Sequence, residues 1–404
     1  MKQLPVKRTA LTLTALALAA TAHAQSSVTL FGTIDAGLAF TSNQQATASN
    51  GSTSGHPTAQ VAGGNLVPSR FGLMGSEDIG ADTHVNFTLE GSILTQSGAS
   101  IDSGSIFNRN AWVGLSNPRY GTLTLGRQYD PFSDDLGLYA SSNSWATLYG
   151  SHFGDVDNLN EAFNFNNSIK YLSPNFGGLT IGGLFSLGGV AGDFSQKRGW
   201  SLAANYANGP LSLSAGYLSL RNPVQAALGG ETNYFGDFSC ANADASYCEL
   251  QNAARLSVFG AGGSYAIGNV TVALSYTHTQ LSQSQYYAAS GTGGNTDIRF
   301  DIGELNTTWQ VTPYMLLGAA YIFNDVQPAG RASTRVHQIN LGTSYNLSKR
   351  TALYAVAIGQ YSAGEGLGLD ATSGGTRNLA EIPNLVNSNS NRQLAVIAGI
   401  RHNF

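Results

Sequence analysis

The most restrictive feature of this chain is an alternation of period two, repeated in segments of about ten residues, which marks strands with two different faces. Val270, Val272, Leu274 and Tyr276 alternate with Thr271, Ala273, Ser275 and Thr277. Leu211, Leu213, Ala215 and Tyr217 alternate with Ser212, Ser214 and Gly216. Ile339, Leu341, Thr343 and Tyr345 alternate with Gln338, Asn340, Gly342 and Ser344. The pattern returns with Tyr354, Val356 and Ile358 against Ala355, Ala357 and Gly359, and with Leu394, Val396, Ala398 and Ile400 near the end. A soluble β-sandwich also has a polar face, but usually fills it with charge. Here that face is Ser, Thr, Asn, Gln and Gly, and tyrosines mark the strand ends. A barrel with an apolar wall toward lipid, a neutral wall toward water and aromatic rims reads this way. In a bilayer only helices and closed barrels satisfy their own backbone.

Composition excludes the main competitors. Charged residues are 11% and glycines number 49 of 404, against averages of about 25% and about 7%. That is too little charge for a charge-rich disordered chain or a coiled coil. A formal net charge of −4 offers no broad basic surface, so no nucleic-acid partner is expected. The one stretch approaching an apolar span of about 20 residues lies at the N terminus. There Lys2, Lys7 and Arg8 flank the uncharged run Thr9 to Ala20, followed by Ala22-His23-Ala24. This order predicts a signal peptide over residues 1–24, cleaved before Gln25, and a single barrel domain over 25–404. Cys240 and Cys248 are the only cysteines, and in an exported chain their spacing suggests a disulfide. No neighbouring His or second Cys pair suggests zinc.

Connector lengths set the strand count. Short ones lie near Glu77 to Ala81, Asn117 to Tyr120, Pro174 to Gly177, Ala207 to Pro210, Gly268-Asn269, Thr312-Pro313 and Leu347 to Arg350. Long ones lie near Ser42 to Val67, Gln96 to Ile106, Asp130 to Phe165, Gly188 to Lys197, Asn222 to Ala253, Leu281 to Thr296, Val326 to Ser333 and Ser362 to Asn391. Alternating in this way, they join sixteen antiparallel strands, with short turns on the periplasmic side and both termini there. A barrel of sixteen strands leaves an aqueous channel.

Several segments, in order along the chain, resemble the trimeric general porins of Gram-negative outer membranes, specifically the betaproteobacterial porin family. They include Ser27 to Gly37, Ser69 to Asp78, Phe107 to Leu115, Gly121 to Pro131, Asn166 to Pro174, Tyr345 to Tyr354 and the terminal Gly399-Ile400-Arg401-His402-Asn403-Phe404. The resemblance implies a channel for passive diffusion of small hydrophilic solutes, without catalysis or cofactor. It also implies a homotrimer in the outer membrane, in contact with lipid and lipopolysaccharide. Phe404 resembles the residue read by the outer-membrane assembly machinery, and Leu394, Val396, Ala398 and Ile400 share its parity.

In such porins the third loop folds inward and narrows the barrel. Here it corresponds to 130–165, whose carboxylates are Asp130, Asp134, Asp135, Asp155, Asp157 and Glu161, with no Lys or Arg. An acidic face at the constriction is therefore expected. Alternation places Arg70, Glu90 and Lys170 on the inner wall, and Arg299 and Asp301 as well, opposite Ile298, Phe300 and Ile302. The same alternation puts Arg109 and Arg127 outside, unless a bulge reverses their parity or they sit at a rim or a subunit contact. The resemblance favours the pore or an interface for both. Many relatives carry a basic residue where this chain has Met74 and Asn164, which weakens any anion preference; with six acids in the loop, weak or slightly cation-favouring selectivity is expected. Asp155 to Glu161 has alternating oxygen donors but lacks a full calcium-loop pattern. Small residues such as Ala36 and Ala39 would permit close subunit packing on the outer wall. The alternatives are a channel selective for one carboxylate or sugar, a barrel hydrolase, for which His278 is a rim histidine without a G-x-S-x-G signature, and a receptor role for the long loops.

Overall fold

The computed structural model describes residues 27–100, 104–161, 163–223, 253–289, 293–365, 368–369 and 376–404. The signal-peptide cleavage site and the Cys240–Cys248 pair lie outside the described residues. The chain forms a closed antiparallel barrel of sixteen wall strands. These are β1 (Ser27–Thr47), β2 in two segments (Thr53–Gly63 and Arg70–Asp78), β3 (His84–Ser92), β4 (Asn110–Asn117) and β5 (Gly121–Gln128). They continue as β6 (Phe165–Leu172), β7 (Leu179–Ser186), β8 (Gly199–Asn208), β9 (Leu211–Arg221), β10 (Arg255–Ile267) and β11 (Val270–Ser284). The wall is completed by β12 (Thr296–Thr312), β13 (Met315–Pro328), β14 (Thr334–Asn346), β15 (Thr351–Gly364) and β16 (Arg392–Asn403). Pairing of β1 with β16, from Thr33↔Asn403 to Thr41↔Ala395, closes the sheet and removes its edges.

The seven short turns fall where the sequence placed them. One long connector does not: Ser42 to Val67 is mostly strand. β1 runs on to Thr47 and pairs with Thr53–Gly63, register Thr47↔Thr53 to Ala36↔Gly63. This hairpin rises beyond the apolar band, so its polar, Thr- and Gln-rich sequence carries no alternation to betray it. The break in β2 is held by Asp35, whose carboxylate accepts from Leu66 N (2.9 Å), Val67 N (3.1 Å) and Tyr354 Oη (2.6 Å).

The outer face is apolar. Leu38, Leu274, Ile339, Leu341, Leu394 and Ile400 are exposed there, with Tyr265, Trp309, Tyr314 and Tyr345 near the short turns. The inner face departs from a simple polar rule. Ile298, Phe300 and Ile302 are buried inside, so Arg299 and Asp301 face outward, the reverse of the expectation. Tyr354, Val356 and Ile358 also point inward. Ala36 is on the outer face, whereas Ala39 is buried inside. The physical reason is the same throughout: the upper lumen is filled by folded loops, and a wall that packs on them is selected to be apolar.

Candidate pore constriction

The third extracellular loop leaves β5 at Asp130 and returns to β6 at Phe165. Asp130 caps a short helix, α1 (Pro131–Leu136), by accepting from Phe132 N (2.9 Å) and Ser133 N (3.3 Å). Pro131 at the first position suits a helix start, because its missing N–H costs nothing there. The end of the loop is stitched to this start: Asn158 Nδ2 donates to Ser133 Oγ (2.9 Å) and Asp130 Oδ2 (3.2 Å). One face of the loop carries Phe132, Leu136, Phe153, Val156, Leu159 and Phe163. It packs in one buried cluster with Leu218, Leu256, Val258, Phe300, Ile302 and Ile322 of the wall. Farther along, Trp145 lies flat on Gly318 of β13 and Gly342 of β14. A Cβ at Gly318 would fall 2.1 Å from the indole Cδ2, so only glycine admits the ring. Tyr149 Oη donates to Asn65 Oδ1 (3.0 Å), tying the far end of the loop to the break in β2. The last long loop also folds in, with Ile382 packed beside Leu66, Tyr149 and Ile358.

A buried charged cluster pins the loop to the wall. His152, in the loop, donates through Nδ1 to Asp157 Oδ2 (2.6 Å) and through Nε2 to Glu304 Oε2 of β12 (3.0 Å). Thr277 Oγ1 of β11 donates to the same Asp157 oxygen (2.6 Å), and Ser141 N donates to Glu304 Oε1 (2.8 Å). The three ionisable side chains are at most 1% exposed. Burial alone would lower the histidine's affinity for its proton. The Asp157 charge and the hydrogen bonds to both carboxylates outweigh that and raise it well above the ordinary histidine value. Asp157 moves the other way: against the upward push of burial, His152 and Thr277 hold it below the usual carboxylate range.

Three of the six loop carboxylates therefore do not line water. Asp130 and Asp157 are fully buried and Asp155 is 4% exposed, accepting from Asn160 N (3.1 Å). The other three are partly exposed. Asp134 pairs with Lys170 of β6 (2.5 Å), whose Nζ also donates to Tyr129 O (3.0 Å). Glu161 pairs with Arg109 (3.3 Å). Asp135, half-buried beside Asp134, is pushed up to about 6 by burial and by that neighbouring charge. Burial also raises Glu161 above its ordinary value, although Arg109 pulls it down.

On the wall, Arg109 and Glu90 of β3 form an ion pair, Nε to Oε1 at 2.6 Å. Arg70 of β2 stands 3.6 Å from the same oxygen. Arg109 precedes the first paired residue of β4 and does not obey the alternation that follows it, so it turns inward. At Arg127 the β5–β6 register shifts between Gly126 and Gln128. Its guanidinium donates to Asn108 O (2.7 Å) and to the side chains of Asn164 (2.6 Å) and Asn166, clamping the returning loop to the start of β4. His152, Glu304, Trp145 and Asp35 were not legible as site residues. The one available signal was a lone histidine five residues before Asp157 in a loop otherwise free of bases. Among the described residues no group of three or more His, Cys, Asp or Glu is arranged to hold a metal.

A closed sixteen-stranded barrel, apolar outside and narrowed inside by a docked loop with charged residues on its open side, is a water-filled pore of an outer membrane. A family model described as Gram-negative porin matches residues 10–363, and the chain belongs to that family. Outer membrane porin protein 32 of Delftia acidovorans is 29% identical over 99% of this chain and 100% of its own. An outer membrane porin of Bordetella pertussis is 26% identical over 83% of this chain and 89% of its own. Among solved structures, the anion-selective porin from Comamonas acidovorans superposes with a TM-score of 0.69 at 25% identity, covering 94% of this chain and 100% of that one. The protein is thus an outer-membrane channel for passive diffusion.

Proposed function

We propose that the constriction is set by Arg70, Glu90, Arg109 and Lys170 on the wall and by Asp134, Asp135 and Glu161 on the loop, with Arg127 and the buried Asp130, Asp155 and Asp157 holding the loop in place. The observation that carries this is the direct ion pairing of loop carboxylates with wall cations at the open edge of the docked loop. Because Asp134 and Glu161 each face a base and only Asp135 stands beside a like charge, the field along the pore is nearly balanced, and the channel discriminates weakly between anions and cations. The Comamonas relative carries the name of an anion-selective porin; here Met74 and Asn164 supply no positive charge. Reversal potentials across a KCl gradient in planar bilayers test this. A small potential with conductance proportional to salt is expected, and a strong anion preference overturns the reading.

The mature chain is proposed to begin at Gln25 and to carry a Cys240–Cys248 disulfide, checked by N-terminal sequencing and by mass after alkylation. A homotrimer is proposed, seated in lipid and lipopolysaccharide, with Phe404 as the signal for the assembly machinery. The broad apolar outer wall supports either lipid or subunit contact, and the mass of the folded protein in detergent decides the oligomer. No catalytic step is assigned. The rim histidine His278 bonds Asp301 Oδ1 (2.8 Å), an oxygen shared with Tyr276 Oη (2.6 Å), and no serine hydroxyl bonds to it among the described residues.

A further inference from the structure

The wall beside the ion-paired cluster carries large apolar side chains that face the lumen. On β1, Phe31 shares the inward parity of Thr33 and Asp35, and it stands opposite Gly72. On β2, Met74 shares the inward parity of Arg70, and it stands between Thr29 and Thr88. Thr88 in turn pairs with Trp112 of β4. The Phe31 ring covers Gly72, where a Cβ would lie 2.7 Å from its Cζ. Read from Arg70 toward the periplasm, the lumenal surface is a guanidinium, then an aromatic ring, then a thioether with an indole two strands away. Met74 is 41% exposed. Phe31 and Trp112 are partly exposed. Water-filled lumens are lined by polar groups, so accessible apolar side chains grouped there call for a ligand.

Arg70 is placed to receive charge. Arg109 holds Glu90 Oε1 at 2.6 Å, while Arg70 reaches the same oxygen only at 3.6 Å. We propose that this strip is a binding site for small aromatic monocarboxylates, with the carboxylate on Arg70 and the ring over Phe31 and Met74. Arginine matches a planar carboxylate with two parallel hydrogen bonds. One pleat along the strand, about 6.6 Å, matches the length of a benzoate from carboxylate to far ring edge. Phe31 offers that ring an offset-stacking or edge contact. The site rests on the open-pore reading above and adds a solute class to it.

The test uses the folded full chain in planar bilayers, with benzoate as probe and acetate as control. Benzoate should reduce the KCl current saturably at concentrations where acetate does not. The double variant Phe31→Ser, Met74→Ser should raise the half-blocking concentration about fivefold, the size expected for loss of one aromatic contact, and Arg70→Gln should do the same. Where the double variant yields no channel, Phe31→Leu keeps the apolar volume and removes the ring. Equal effects of benzoate and acetate, or a half-blocking concentration unmoved by these substitutions, overturn the proposal. Failure of the wild type to conduct KCl ohmically would instead sink the pore reading itself.

Discussion

Replacing His152 by leucine isolates the buried latch between the third loop and the wall. The substitution leaves Asp157 and Glu304 without the cation between them, at sites no more than 1% exposed. Breaking a buried pair in this way costs about 3–5 kcal/mol. The barrel ladder is untouched, and the apolar face from Phe132 to Phe163 still packs on the wall. The penalty therefore falls on docking of the segment around residues 148–159, not on global folding. Single-channel recordings should show added sublevels and current noise at neutral pH, with wild-type mobility of the folded barrel on gels. Restoring neutrality with Asp157→Asn and Glu304→Gln in the same chain should quieten the channel. Silent recordings from His152→Leu would refute the latch. The pH dependence has a definite sign. A histidine raised on folding stabilises fully below its unfolded value of about 6.5, and loses that contribution as pH climbs through its raised value. Asp157, held low, loses its contribution only as pH falls through its depressed value. Wild-type noise should therefore rise in strongly alkaline and strongly acid buffers and stay flat between them.

Three further outcomes follow from the same geometry. Protonation of Asp135 near its value of about 6 removes a lumenal negative charge, so the cation-to-anion permeability ratio should fall as pH drops from 7 to 5; Asp135→Asn should abolish that slope, and an unaltered slope would remove Asp135 from the pore. Gly318→Val places side-chain atoms inside the Trp145 ring, an overpacking worth about 1–3 kcal/mol. It should push the loop toward the lumen and lower KCl conductance, with Trp145→Ala restoring it; equal conductance in all three proteins would count against the docking. Gly32→Val meets the Phe404 ring, whose Cζ lies 2.3 Å from the new Cβ, across the seam where Phe404 N donates to Gly32 O (3.0 Å). The folded fraction after refolding into detergent, read by heat-modifiable gel mobility, should fall, and an unchanged fraction would deny the terminal ring a part in closure.

The alternation of small polar and apolar residues determined the strands, and the alternation of short and long connectors determined their number and direction. Both are local signals: a residue's neighbour at two positions, or the distance between two strands, is written in the chain. The inner wall on β2 and β3 was legible for the same reason, since Arg70 and Glu90 obey the pleat of their strands. The parity of Arg299, Asp301 and Tyr354 was not, because it depends on what fills the lumen opposite them. Only the tertiary structure brings the third loop against β9 to β14, makes that part of the interior apolar, and so turns Phe300 in and Arg299 out. The same docking sorts six similar carboxylates into three that are buried and three that stay partly exposed. Spacing along the chain cannot separate Asp157 from Glu161, because the difference is the presence of His152, Thr277 and Glu304, two of them more than a hundred residues away.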